Sequence, residues 1–157
     1  MLKGMLDTRE DLQKYLFIRG FLITNESIES KQNDFPFYSN WTMQKLGSYQ
    51  FWIHNLQKFF YLERDNKIFF LIGHAYNPFT MEYYEMEILN TVANAYSNDN
   101  STYLDAIDEL TGLFIIGHVS GDDISFLLDC SGMQYGCYGL IKNRLYIASH
   151  MQLIGDV

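Results

Sequence analysis

Three tight turns set what this chain can become. Asp65-Asn66-Lys67, Ser120-Gly121-Asp122-Asp123 and Lys142-Asn143-Arg144 each separate two short runs rich in branched and aromatic residues. Turns this short fold a strand straight back on its neighbour. Residues 59–64 with 68–73, 113–119 with 124–129, and 137–141 with 145–148 are therefore predicted as antiparallel hairpins. A parallel crossover needs about a dozen connecting residues, and none of these turns has room for one.

Between the first and second hairpins the hydrophobic period lengthens. Met81, Tyr84, Ile88, Val92 and Tyr96 recur at helical spacing, and Tyr103, Leu104, Ile107 and Leu110 form a second stripe. Asn98-Asp99-Asn100-Ser101 is the expected break between the two helices. Upstream, residues 15–24 read as a mostly buried strand, 25–40 as loop, and 49–54 as a half-exposed strand. Strands, two helices, then strands again predict an α+β fold with antiparallel sheets rather than a Rossmann arrangement.

Composition narrows the function classes. The 157 residues fit one domain, and 48% of them are hydrophobic and 17% aromatic, which excludes wholesale disorder. A formal charge of -8 argues against nucleic-acid or anionic-membrane partners, whose phosphates repel it. No apolar run approaches the roughly 20 residues of a membrane span, and the first residues lack an apolar signal core. Two cysteines, Cys130 and Cys137, favour a reducing compartment, so a cytoplasmic location is expected.

Three segments carry a family resemblance. Leu71-Ile72-Gly73-His74-Ala75-Tyr76-Asn77-Pro78 is similar to the Asn-Gly-Glu-Ile-Tyr-Asn segment of class II glutamine amidotransferases. Tyr103-Leu104-Asp105 through Leu110-Thr111-Gly112-Leu113-Phe114 resembles their helix followed by Leu-x-Gly-Met-Phe. Asp129-Cys130-Ser131-Gly132, with Leu145-Tyr146-Ile147-Ala148-Ser149-His150-Met151, resembles their Asp-x-x-Gly turn and Leu-x-x-Ala-Ser-Glu strand. The order and spacing cover about half the chain and look most like the N-terminal domain of asparagine synthetases. The resemblance implies an Ntn-hydrolase-like αββα sandwich of two antiparallel sheets, here lacking terminal strands. It also implies that residues 1–157 form one amidotransferase-like domain, expected to be a fragment of a longer synthetase-like protein. A parent of that kind is an ATP-dependent, glutamine-hydrolysing synthase.

The family's chemistry uses an N-terminal cysteine nucleophile with its own α-amino group as base, and oxyanion donors from an Asn side chain and the following Gly N–H. This chain departs at each point. Leu2 stands at the second position, Ile72 where the oxyanion Asn belongs, and His74 where the family has Glu, while the Arg-Gly-Pro-Asp glutamine grip is absent. Gly73 remains as one backbone donor. The expectation is a catalytically degenerate domain with no catalytic residue, no cofactor and no metal. Gly73, His74 and Glu85 are the candidate residues of a vestigial pocket for a small amino-acid ligand. Asn77, Pro78, Asp129 and Gly132 read as structural turns, and Glu85 and Glu87 as a solvated helix face. Expected partners are a synthetase domain or a second copy.

Two rival readings stand beside this one. An active glutaminase or amide hydrolase would need an unrecognised nucleophile such as Cys130 or Cys137, although both cysteines read as small buried sheet residues. An adaptor that dimerises through aromatic-rich strands would have no family site at all.

Overall fold

Where the turns demand a reversal, the backbone takes one. The computed structural model describes residues 2–98 and 100–157. Asp65 and Asn66 have φ of 51° and 59°, and Lys142 and Asn143 have 50° and 62°. Two successive left-handed residues match the right-handed twist of the flanking strands, as in type I′ hairpins.

The chain divides into two compact units, Lys58–Tyr135 and the remainder, up to Gln57 together with Gly136–Val157. Both are α+β with antiparallel sheets. In the Lys58–Tyr135 unit, β4 (Phe59–Arg64), β5 (Lys67–Tyr76), β6 (Thr111–Ser120) and β7 (Asp123–Leu128) form one sheet in that order. Helices α3 (Glu85–Asn98) and α4 (Asn100–Asp108) connect β5 to β6. Leu89, Val92, Tyr103 and Ile107 from the helices pack with Phe69, Leu71, Phe114 and Ile116 of the sheet. The interleaved Phe70 and Ile72 are buried too, so β5 is covered on both faces, which is why its sequence is an unbroken apolar run.

In the other unit, β1 (Phe21–Thr24), β2 (Trp41–Leu46), β3 (Tyr49–His54), β8 (Cys137–Ile141) and β9 (Arg144–Ala148) are ordered β2-β3-β1-β9-β8. Leu22, Ile28, Phe37, Trp52, Tyr146 and Leu153 fill its core, with Phe37 stacked on Trp52 at 4.4 Å. Gln50 is buried there, accepting from the Ile28 N–H and Trp52 Nε1 and donating to Glu29.

Several elements differ from expectation. The strand over 15–24 shortens to β1, because Phe17 and Arg19 are left-handed and the Gly20 N–H closes a turn onto the Phe17 carbonyl. Tyr15 and Ile18 are consequently exposed. The loop at 25–40 holds two single 3-10 turns and buries Ile28, Phe37 and Tyr38. β3 is buried throughout instead of half-exposed, since its polar residues Gln50 and His54 find partners inside. β2, α1 (Leu2–Thr8), α2 (Glu10–Gln13) and α5 (Met151–Asp156) have no counterpart in the sequence reading. The first long helix begins at Glu85, after a left-handed Met81 and an isolated bridge from Asn77 to Glu82. Within the expected break at 98–101, Asp99 lies outside the described residues.

Candidate functional site

The site begins where β5 stops being regular. Gly73 has φ of +103°, and a Cβ there would lie 2.2 Å from the Leu113 carbonyl oxygen; Gly112 on β6 has φ of +129°, with the His74 carbonyl equally close. Only glycines let the two backbones approach this tightly. His74 follows at the surface, its side chain 53% exposed, against Glu85 at the start of α3.

Glu85 is the first residue of α3, where a carboxylate meets the positive end of the helix dipole. Just upstream, Glu82 Oε1 accepts the N–H groups of Tyr83 and Tyr84 at 2.9 and 2.8 Å and fixes the approach to the helix. Glu85 is buried, so the solvated helix face expected for it is corrected, whereas Glu87 is exposed. Its Oε1 accepts from Lys58 Nζ at 2.6 Å and lies 2.8 Å from His74 Nδ1. Burial, the largest single influence, raises the Glu85 pKa; the hydrogen bonds from Lys58 and His74 outweigh it and hold the group at about 2. An ionised carboxylate only accepts, so the His74 proton is assigned to Nδ1, leaving Nε2 as the acceptor.

Gly73, His74 and Glu85 therefore come together, and Lys58 joins them. Nothing in the sequence flags Lys58, which lies 27 residues from its partner Glu85. Gly73 does not supply the spare donor expected of it. Its N–H already bonds the Lys58 carbonyl at 2.9 Å, and the Ile72 side chain is wholly buried.

The four turn residues lie at two other places. Asn77 is buried, its Oδ1 accepting from the Phe79 and Thr80 N–H groups and its Nδ2 donating to Glu109. Pro78 follows it, exposed. The buried Asp129 collects the N–H groups of Ser131, Met133 and Gln134 and the Ser131 hydroxyl, with Gly132 left-handed at φ 62°. Burial pushes the Asp129 pKa up, but these hydrogen bonds bring it below the usual carboxylate value.

The cysteines part company. Cys130 is exposed, contrary to the buried reading, and borders a cavity of about 300 Å³ with Leu104, Ile107, Asp108 and Phe114. Cys137 is buried and donates to the Ala148 carbonyl, and burial raises its thiol pKa. In the sequence His54 reads as one of four scattered histidines whose spacing does not require them to converge on a metal. It is buried beside a concavity of about 350 Å³ lined by Lys14, Tyr15, Ile18 and Leu56. Its Nδ1 accepts the Leu56 N–H, so Nε2 donates to the Lys14 carbonyl. Among the described residues no three His, Cys, Asp or Glu side chains gather as a metal site, and no helix is long and apolar enough to cross a membrane.

No protein-family model matches the chain, and no curated protein matches it.

Proposed function

We propose that this chain is a catalytically degenerate glutamine amidotransferase-like domain of asparagine synthetase type, acting as an interaction or ligand-binding module. On this reading its two antiparallel sheets are counterparts of those in the Ntn-hydrolase αββα sandwich. The observation that carries the loss of catalysis is the state of the Ile72-Gly73 edge. A buried aliphatic side chain and an N–H already bonded to Lys58 leave neither donor of that edge for a developing oxyanion. One missing donor of this kind costs about 2.7–4 kcal/mol in a working enzyme. The motif order supports the lineage, and so do the two glycines, Gly73 and Gly112, at the point where the family-like segments pair.

The His74–Glu85–Lys58 cluster is what the pocket has become. It offers an ammonium group that suits the carboxylate of a small amino-acid-like ligand and an imidazole acceptor that suits its amino group, which fits binding better than a reaction. Titration calorimetry with glutamine and a glutaminase assay test the reading. Measurable ammonia release by the purified chain refutes the inactive domain. The rival hydrolase is favoured only by the exposure of Cys130, and fast, selective labelling of Cys130 by a glutamine-analogue electrophile is the result that would support it.

A further inference from the structure

The ionisable residues are segregated along the chain. From Ile68 to Ile141 there is no Lys or Arg and there are ten Asp or Glu; from Cys130 to Gly155 there is no Asp or Glu, while Lys142 and Arg144 lie within it. Each stretch also exposes apolar side chains. On the corner between β5 and α3, Phe79 is 77% exposed, Met81 68% and Tyr84 60%, with Glu87 exposed beside them. On the β8–β9 hairpin, Tyr138 is 75% and Leu140 72% exposed, and Lys142 and Arg144 follow at its turn.

Within its own unit each patch is left uncovered. β8 is also the last strand of its sheet, with only β9 beside it, and nothing among its own residues blunts that edge. An edge strand bearing bare aromatic and aliphatic groups invites a partner. The two patches are matched in kind: both are aromatic-aliphatic, one bordered by carboxylates and the other by cations.

We infer that the chain associates with a second copy of itself, the acidic corner at residues 79–87 of one copy seating on the basic β8–β9 hairpin of the next. Tyr138 and Leu140 supply the apolar anchor and Phe79 and Tyr84 its seat. Lys142 and Arg144 face Glu82 and Glu87, the carboxylates of the corner that remain after Lys58 pairs with the buried Glu85. Electrostatic complementarity sets the orientation and makes the association salt-sensitive. The contact joins unlike surfaces, so it is heterologous. This inference is independent of the amidotransferase reading and survives its failure.

Sedimentation equilibrium of the intact chain tests it. The expected result is an average mass that rises with concentration above the monomer value, with the apparent Kd weakening about tenfold as salt increases and shortens the screening length. Phe79→Ser with Tyr84→Ser, and separately Tyr138→Ser with Leu140→Ser, each yield monomers, and circular dichroism shows both still folded because the substituted side chains are exposed. Mixed one to one, the two variants associate again and stop at a dimer, since each retains the surface the other lacks. A monomeric wild type overturns the inference, even if it binds a Lys-Leu peptide, because that result assigns the corner to a foreign basic partner. Association that survives both double substitutions, or that mixing fails to restore, overturns it equally.

Discussion

The four strands of the Lys58–Tyr135 unit lie side by side in chain order, whereas the other sheet is sewn from both ends of the sequence, with Leu22 opposite Ala148. The first unit closes two short hairpin loops and one longer connection through its two helices as it forms. The second must bring β1 and β9 together across more than a hundred residues before their pairing contributes, and that ordering entropy makes such sheets slow to form. The charges divide the same way. The Lys58–Tyr135 unit has 12 Asp and Glu against 3 Lys and Arg, the other 7 against 8.

The largest test of this division is Trp52→Ala. Trp52 is wholly buried, stacks on Phe37 and donates to Gln50, so its removal should cost about 3–5 kcal/mol. Hydrogen exchange then reads the division directly. Amides of β1, β3 and β9 should lose protection while those of β5 and β6 keep theirs. Equal loss in both sheets would show that the units unfold as one.

Gly112→Ala strikes the other unit. Its φ of +129° and the 2.2 Å approach of the His74 carbonyl mean a methyl cannot be placed without parting β5 from β6. A cost of about 3 kcal/mol is expected, with protection lost in β5 and β6. Gly20→Ala, whose would-be Cβ meets Phe17 O at 2.6 Å but whose φ is unstrained, should cost less. Urea melts of the pair check the ranking.

Legibility followed separation along the chain. The hairpin turns, the Ile88-Val92-Tyr96 stripe and the β5 run could be read from local pattern, because residues near in sequence settle them. The burial of β3 and the true extent of β1 could not be, because Gln50 and His54 are polar residues made internal by distant partners, Glu29 and the Lys14 carbonyl, and the left-handed Phe17 and Arg19 end an apolar run that looks continuous. At the candidate site His74 and Glu85 were visible as residue types. Their mutual contact, and Lys58 as the third member, depend on β5 meeting the start of α3, which no periodicity encodes.

That cluster gives the third prediction. Glu85 has its pKa lowered from 4.5 to about 2, so its charged form stabilises the fold above pH 4.5, and this stability is lost as pH falls toward 2. Lys58 is more than half exposed, and screening reduces the gain to about 1–2 kcal/mol. Glu85→Gln should lower stability by that amount at pH 7 and flatten the decline between pH 5 and about 2. An undiminished acid slope would place the titration elsewhere.

The smallest effect sets one histidine of each unit against the other. His118 packs among Phe69, Tyr96 and Tyr103, and its Nδ1 is buried without a hydrogen-bond partner among the described residues. His54 has both ring nitrogens bonded. Burial lowers both pKa values from 6.5, and Lys67 lowers that of His118 further. A histidine kept neutral by the fold binds fewer protons folded than unfolded, so its contribution is whole above pH 6.5 and shrinks as pH falls below it. Replacing His118 by Phe removes an unpaired nitrogen and a buried proton site together. The variant should match or exceed the wild type at pH 7 and surpass it by about 1 kcal/mol at pH 5. His54→Phe strips two hydrogen bonds and orphans the Leu56 N–H, so it should lose about 1–3 kcal/mol at both pH values. Opposite signs at pH 5 from two histidines shifted in the same direction would trace the difference to hydrogen-bond satisfaction, since burial is common to both. Matching signs would mean that the packing of the rings, rather than their nitrogens, decides.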